Sequence, residues 1–584
     1  MTASITEIDS ISEESNVESV SHLQHSPSFE KKGADFSISL NEKKDFASPI
    51  TEEIPSPDGV ATPEPETKKK LSFGARVWDL ICSPGRQHDV CVAAPTQLVR
   101  SCDDYANSAS TLVTNDDGTK TKVDSDEKKH KHKNVRDYIR FKHVDIGGRI
   151  FDLITRLAGT SFTFILMLII LIIWAIVGGI YRAPDNWQIV MQDGSSIQCY
   201  VSDTLLMRQQ QNQHIQVLTM ISQLRSRLLT TSRLLGPVLN DKTKISSVNV
   251  ALMKDDVGDA EKLPTENWFD FICNYVSFMV GSIIFLVVYW IGIFIWIGFG
   301  RMLGWSDEWQ LYINTAVAVE LTFTSVFLQN VRHRHMKYID RCVTSIFRID
   351  SVIEEELRRM MGDKEPNEEI TIKMDKINLG ERSIDYYADL IGSGVGVVVS
   401  TCVFVAWIAI GNVMHWDSNW WLIIGTYTGL VGFLDGFVLR NVYFRESSKE
   451  ATEIQTLINE DYALYQKLDL PLPHEHITNY KSTFGGSLSQ WIGWLCALPI
   501  SVLFSVFVIL GLIIAAGSLR FNETAQLFCN TPTMIIEGAL LIVLIEAHNI
   551  ANLKRRIQFR QIHLRRLTIL KMLAGDNYST TSTV

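Results

Sequence analysis

From Ser161 to Tyr181 the chain runs for 21 residues without a charge, as SFTFILMLIILIIWAIVGGIY. A helix over that run is about 30 Å long, the thickness of a bilayer's hydrocarbon core. Comparable runs lie at 276–299, 392–414 and 492–516. A plain soluble fold is excluded. After each run come a short loop and a second, more polar segment, near 187–208, 309–330, 420–440 and 533–550. Hydropathy alone leaves the 187–208 segment undecided.

An internal repeat decides it. Trp174 and Trp187 are 13 residues apart, as are Trp296 and Trp309, and Trp407 and Trp420. Arg208, Asn330 and Asn441 each fall 21 residues beyond the second Trp. A fourth copy ends in Ala547, His548 and Asn549 and has lost both tryptophans. The expectation is an all-α polytopic membrane protein of about eight transmembrane helices, built as four two-helix repeats behind a disordered N-terminal tail. The units are 146–235, 266–362, 381–470 and a degenerate 484–575, with a short C-terminal tail at 576–584. The tryptophan pairs are expected to sit at one membrane interface as an aromatic belt.

Residues 1–127 hold 23 acidic and 12 basic residues, so a net charge of −10 for the chain leaves +1 for the rest. The 1–145 region is therefore read as a cytosolic, mostly disordered acidic tail. Within it, 71–105 is a short amphipathic segment, suited to a membrane surface or to docking on the membrane domain. A Lys/His run at 128–133 suits anionic lipid. The first thirty residues are polar, so no secretory signal is read there. Without a strongly basic balance, nucleic acid is not an expected partner. The nine cysteines contain no C-x-x-C, and neither a disulfide framework nor a zinc site is read from them.

Orientation follows the basic residues. Loops at the tryptophan end carry Arg182, Arg301 and Arg520, whereas 208–266, 330–387, 440–486 and 551–584 carry 31 Lys and Arg. Those faces and both termini are expected in the cytosol. Asn522 begins a glycosylation sequon in an outer loop. The segments 213–234 and 330–361 keep helical apolar spacing and read as a cytosolic helical layer or an assembly contact.

The apolar runs carry almost no polar groups; the second helices carry them. Gln192, Ser196, Cys199 and Asp203 step i, i+4, i+7, i+11 along one face, beside Gln198. Asn314, Glu320, Thr324, Gln329 and Asn330 follow in the second unit, Asp435 and Asn441 in the third, and Glu537, Glu546, His548 and Asn549 in the fourth. Ionisable groups at membrane depth mark pathways. Asp203, Glu320, Asp435, Glu537, Glu546 and His548 are the candidate metal pathway, since carboxylates with imidazole and amides suit Fe(II), Mn(II) and Zn(II). Arg208 and Arg440 are candidate charge partners, for Asp203 and Asp435. Asp152, Asp270 and Asp385 suit N-caps of the apolar helices. His333 and His335 suit a solvated inner face.

The segment Trp309, Gln310, Leu311, Tyr312, Ile313, Asn314, Thr315, Ala316, continuing to Phe327, Leu328, Gln329 and Asn330, resembles the signature of the low-affinity iron permeases. Arg332 and Arg334 follow in the place of that family's N-R segment. Trp187, Gln188, Ile189 and Val190, with Asp193 and Gly194, look like a diverged copy. The resemblance covers roughly 145–575 and is densest in the first two units. It implies low-affinity uptake of ferrous iron across the plasma membrane, with copper, zinc and manganese as further cargo. No cofactor is implied; Fe(II) is the substrate. Membrane lipids and divalent metal ions are the expected partners, and a homo-oligomer is compatible with the sequence. The competing readings are a channel or transporter for a different ion, or a membrane scaffold. A haem reductase is disfavoured, because the apolar runs contain no histidine.

Overall fold

The computed structural model describes residues 89–96, 146–182, 184–240, 257–468, 470 and 484–574. Most of the expected acidic tail and 71–105 segment, the 128–133 run and 576–584 lie outside the described residues. Each unit contains three helices rather than two. They are α1 (Ile146–Ala158), α2 (Ser161–Tyr181) and α3 (Asp185–Asn240); α4 (Trp268–Val280), α5 (Ile283–Gly300) and α6 (Asp307–Met361); α7 (Leu379–Ile391), α8 (Gly394–Gly411) and α9 (Ser418–Lys467); and α10 (Phe484–Cys496), α11 (Pro499–Ser518) and α12 (Glu523–Ala574).

The extra helix comes from punctuation that hydropathy does not register. Thr160, Ser282 and Ser393 have extended backbones, and their hydroxyls accept from Thr163, Phe285 and Val395 N–H. In the fourth unit Pro499 opens α11 instead. The runs at 276–299 and 492–516 therefore break at Gly281–Ser282 and Ala497–Leu498 rather than forming single helices. These caps, not Asp152, Asp270 and Asp385, start the apolar helices. The short helices expose one apolar face, such as Ile150, Leu153, Ile154 and Leu157 of α1 and Trp268, Phe271, Ile272 and Tyr275 of α4. That spacing suits a helix lying in a bilayer interface.

Seven of the described helices are long and apolar enough to cross a membrane, and the chain is an all-α polytopic membrane protein. The eighth candidate, α3, holds the same place in its unit as α6, α9 and α12. Only 17% of the apolar window is buried in α2, α5, α8 and α11, against 61, 78 and 83% in α6, α9 and α12. The uncharged helices are thus the outer layer and the polar ones the core, because lipid accepts an all-apolar surface and protein must satisfy the rest.

The four long helices form a ring. α3 packs along α6, α6 along α12, α12 along α9, and α9 along α3, so the order of units is first, second, fourth, third. Each long helix has 50 to 56 residues, about 75–85 Å, roughly twice a whole bilayer. The halves distal to the tryptophans make one continuous bundle with a shared apolar core that includes Leu218, Ile221, Val343, Ile346, Leu457, Ile562 and Ile569. Thus 213–234 and 330–361 form a helical layer within one chain. Ion pairs cross each edge of this bundle: Arg227–Glu354, Arg566–Asp350, Arg565–Asp461 and His214–Glu450.

Strand β1 (Val90–Val92) pairs antiparallel with β2 (Ile370–Ile372), Val90 opposite Ile372. Beside it, Ala94 N–H donates to Ser226 Oγ at 3.0 Å, and Asn367 Nδ2 donates to the Ala94 carbonyl at 3.3 Å. Residues 89–96 are therefore ordered against the distal bundle, the docking alternative for that part of the 71–105 segment.

At the other end the tryptophans do more than line an interface. Trp174 and Trp187 stack with ring centroids 3.8 Å apart, Trp296 and Trp309 at 3.9 Å, and Trp407 and Trp420 at 4.3 Å. Trp296 Nε1 donates to the Trp309 carbonyl at 2.9 Å and Trp309 Nε1 returns to Trp296 at 3.0 Å. Trp407 and Trp420 reciprocate at 2.9 and 2.8 Å. Each stack locks an apolar helix to its long helix at the turn. The fourth unit, lacking the pair, closes the same corner with buried Ala516, Ala525 and Cys529.

Candidate functional site

Four carboxylates come one from each long helix: Asp203 of α3, Asp435 of α9 and Glu537 of α12 lie close together, and Glu320 of α6 lies beside Gly538 of α12 and Tyr289 of α5, within reach of Glu537. Asp203, Glu320 and Asp435 lie 16, 11 and 15 residues past the second Trp of their units, about 16–24 Å along the helix. That is near mid-depth of a bilayer. Asp203 is 3% exposed, Asp435 0% and Glu537 3%. Asp203 is within electrostatic reach of Glu537, Asp435 and Arg440, and Glu537 of Asp435, Glu320 and Arg440.

Protein donors do not satisfy these groups. Both oxygens of Glu320, and one each of Asp203, Asp435 and Glu537, are buried without a hydrogen-bond partner. Tyr387 donates to Asp435 Oδ1 at 2.7 Å. Tyr289 stands against Glu320 but donates to the Ile535 carbonyl at 2.8 Å. Buried carboxylates with unmet acceptors are costly unless a cation or water completes them. Among the described residues no three His, Cys, Asp or Glu side chains gather tightly enough to hold a metal ion. The carboxylates are staggered along the ring rather than closed into a cage.

The charge partners differ from expectation. Arg208 Nε donates to Asp152 Oδ1 at 2.8 Å, tying α3 back to α1 rather than neutralising Asp203. Arg440, fully buried, reaches the charges of Asp203 and Glu537, and its Nη1 donates to the Gly436 carbonyl at 2.5 Å. Asp385 pairs with Arg445, and Asp270 faces Arg334 at 3.9 Å. These acids join short helices to long ones.

Several expected supporting residues join helices instead of facing the carboxylates. Gln192 Nε2 donates to the Leu311 carbonyl at 3.4 Å and to Thr315 at 3.3 Å. Gln198 donates to Ser325 at 3.0 Å, with Cys199 Sγ 4.0 Å from the same hydroxyl. Gln329 donates to the Ser202 carbonyl at 3.0 Å, and Thr324 to its own helix at Glu320 O, 2.8 Å. The glutamine bonds fasten α3 to α6, whereas Thr324 bonds within α6. Asn330, Asn441 and Asn549 cap the helix breaks of neighbouring units, donating to Gly159, Ala497 and Ser277 carbonyls at 3.2, 2.5 and 2.9 Å. Ser196 is buried with an unpartnered hydroxyl, and both amide atoms of Asn314 are likewise unpartnered.

Glu546 and His548 stand apart from the four carboxylates. Glu546 lies against the α4–α5 break at Gly281. His548 packs on Tyr443 with ring centroids 4.1 Å apart and lines a small, water-sized cavity with Gln213, Arg332, His335, Asn552 and Arg555. His335 is thus half-buried rather than solvated, and His333 packs against Gly159. Asn522 is exposed, and its Oδ1 caps α12 at Ala525 N–H, 2.9 Å. The sequence placed Asp193 only in the diverged copy of the signature and not among the candidate site residues. Asp193 is 5% exposed, with Oδ2 unpartnered. It precedes Asp203 by ten residues, about 15 Å nearer the tryptophan end and roughly 80° round the helix.

No solved structure matches the chain. A relative in Saccharomyces cerevisiae, the "Low-affinity Fe(2+) transport protein", is 39% identical over 544 residues, covering 85% of this chain and 97% of that protein. The family model described as low affinity iron permease matches four times, at 148–233, 269–356, 381–470 and 486–571. Each match coincides with one three-helix unit. The chain belongs to the low affinity iron permease family.

Proposed function

We propose that this chain imports ferrous iron at low affinity across the plasma membrane, along the axis of the ring of long helices. The observation that carries the reading is the set of four mid-depth carboxylates, one per long helix, with Arg440 among them and too few protein donors to satisfy them. A divalent cation entering there offsets charge that the protein leaves uncompensated. Oxygen donors of this kind bind intermediate divalent metals without closing round them, so cargo enters and leaves. The same donors accept copper, zinc and manganese. The tryptophan end faces outward and the basic distal bundle, with both termini, faces the cytosol. A membrane potential then drives inward flux, at about 4.6 kcal/mol per 100 mV for a divalent ion. Because four units of one chain close the ring, a single chain completes the path, and lipid covers the exposed apolar helices.

The test is radioactive Fe(II) uptake under ascorbate in cells lacking other iron importers. Wild type is compared with Asp203→Asn, Glu320→Gln, Asp435→Asn and Glu537→Gln at matched surface expression. Saturable wild-type uptake is expected, falling about tenfold or more in at least two variants, the equivalent of roughly 1.4 kcal/mol each. Unchanged uptake in all four would sink the proposed path; no wild-type uptake would sink the transport reading.

A further inference from the structure

Gly425, Gly429, Gly432 and Gly436 recur along α9 at i, i+4, i+7 and i+11, and so share one face. In a membrane helix such a stripe ordinarily lets an apolar neighbour pack closely. Here three of the four positions meet polar groups of neighbouring helices. A Cβ on Gly425 would lie 3.4 Å from Asp193 Oδ1 of α3 and 3.6 Å from Asn530 Nδ2 of α12. One on Gly429 would fall 2.3 Å from Asn530 Oδ1, and one on Gly432 2.8 Å from Glu537 Oε2. Gly436 faces Leu540 and Arg440. The bare backbone of α9 is therefore a wall against which a carboxylate, an amide and a second carboxylate lie in succession.

These side chains are aimed into the stripe and not used up there. Asp193 is 5% exposed, and Asn530 and Glu537 are 3% each. Asp193 Oδ2, Asn530 Oδ1 and Glu537 Oε1 have no hydrogen-bond partner. Gly425 precedes Gly432 by seven residues, about 10 Å of helix, on the tryptophan side.

We propose that Asp193 and Asn530, meeting over Gly425 and Gly429, form a second cation subsite nearer the tryptophan end of the path. It captures a partly hydrated divalent cation before the carboxylates at Gly432. This rests on the reading of the chain as an Fe(II) path. One carboxylate and one amide oxygen supply two hard donors and leave the remaining coordination positions to water, which exchanges readily. Two cations about 10 Å apart repel, so arrival at this subsite promotes release of the ion ahead. The unit-two equivalent of Asp193 is Thr315, which hydrogen-bonds Gln188 and Leu311, so the subsite belongs to one side of the ring.

The experiment measures Fe(II) uptake kinetics for wild type, Asp193→Asn, Asp193→Glu and Gly425→Ala at matched surface expression. It also treats Asp193→Cys with a membrane-impermeant cationic methanethiosulfonate from outside. Asp193→Asn is expected to raise half-saturating Fe(II) about tenfold with the maximal rate little changed, and Asp193→Glu to restore it. Gly425→Ala meets no atom closer than 3.4 Å, so it folds, yet its methyl enters the space between Asp193 Oδ1 and the Asn530 amide and raises half-saturation too. External reagent should block Asp193→Cys but not wild type, and Mn(II) should slow the block. Wild-type half-saturation in both Asp193→Asn and Gly425→Ala, or an unreactive Asp193→Cys, overturns the subsite. If the Asp435 and Glu537 variants fail while these remain silent, the subsite alone is lost. If wild type takes up no Fe(II), the path and the subsite fail together.

Discussion

His214 shows how a single residue holds two units together. It lies 27 residues past Trp187, about 40 Å along α3, and so beyond the membrane. Its Nδ1 is 2.8 Å from Glu450 of α9. Burial works against its charge, but the carboxylates of Glu446 and Glu450 outweigh burial and raise its pKa. The unfolded value is about 6.5. The stabilisation is therefore fully present below that pH and fades as pH rises through the higher folded value. His214→Gln should lower the Tm of detergent-purified protein most at about pH 6, by the equivalent of about 1.5–3 kcal/mol for a bond between charged groups. The gap to wild type should narrow by about pH 9. A pH-independent gap in thermal scans would reject the charged pair. Neither partner was legible as such, because 236 residues separate them and each alone reads as a solvated polar residue.

At the scale of elements, the stacked tryptophans are the clearest case of a correct motif with an underestimated role. Their 13-residue spacing revealed the repeat, and a belt at the interface was a sufficient account of it. The fold instead turns each pair face to face, with indole N–H groups donating across to the partner's backbone carbonyl. Trp309→Ala should cost about 3–5 kcal/mol, as large aromatic truncations do. Trp309→Phe keeps a ring in place and loses one hydrogen bond, about 1 kcal/mol. Chemical or thermal unfolding in micelles would rank them, and equal losses would show that stacking contributes nothing beyond the bond. The short helices were hidden for a related reason. A Ser inside an apolar run barely changes a hydropathy average, yet its hydroxyl caps a new helix.

At the scale of the whole molecule, the ring order places the chemistry. With units ordered first, second, fourth, third, Asp203 faces Glu537 and Asp435, and Asn530 can reach α9. Cysteine pairs test that order. Ser195 and Thr322 hydroxyls are 2.8 Å apart across α3 and α6, and Gln526 Nε2 is 3.1 Å from Asn419 Oδ1 across α12 and α9. Ser195→Cys with Thr322→Cys, and Gln526→Cys with Asn419→Cys, should each cross-link under mild oxidant, seen as a mobility shift after cleavage of the connecting loop. The mismatched pair Ser195→Cys with Gln526→Cys should not. Efficient cross-linking of the mismatched pair would contradict the ring.

The sequence by itself determined the class of fold, the four units and the helices that hold the polar residues. Those features are written in local periodicity: uncharged runs of membrane length, a fixed tryptophan spacing, and membrane-depth carboxylates carried by the polar segment after each apolar run. It did not determine which long helices are neighbours or which carboxylates meet. Four similar helices present similar inward faces, so local pattern fits more than one ring order. The choice falls to contacts between residues more than a hundred positions apart, such as Arg566 with Asp350 and Arg565 with Asp461. The same holds for Arg208, drawn to Asp152 by the close return of α1, and for Asp193, whose place beside Gly425 exists only once α3 and α9 are packed together.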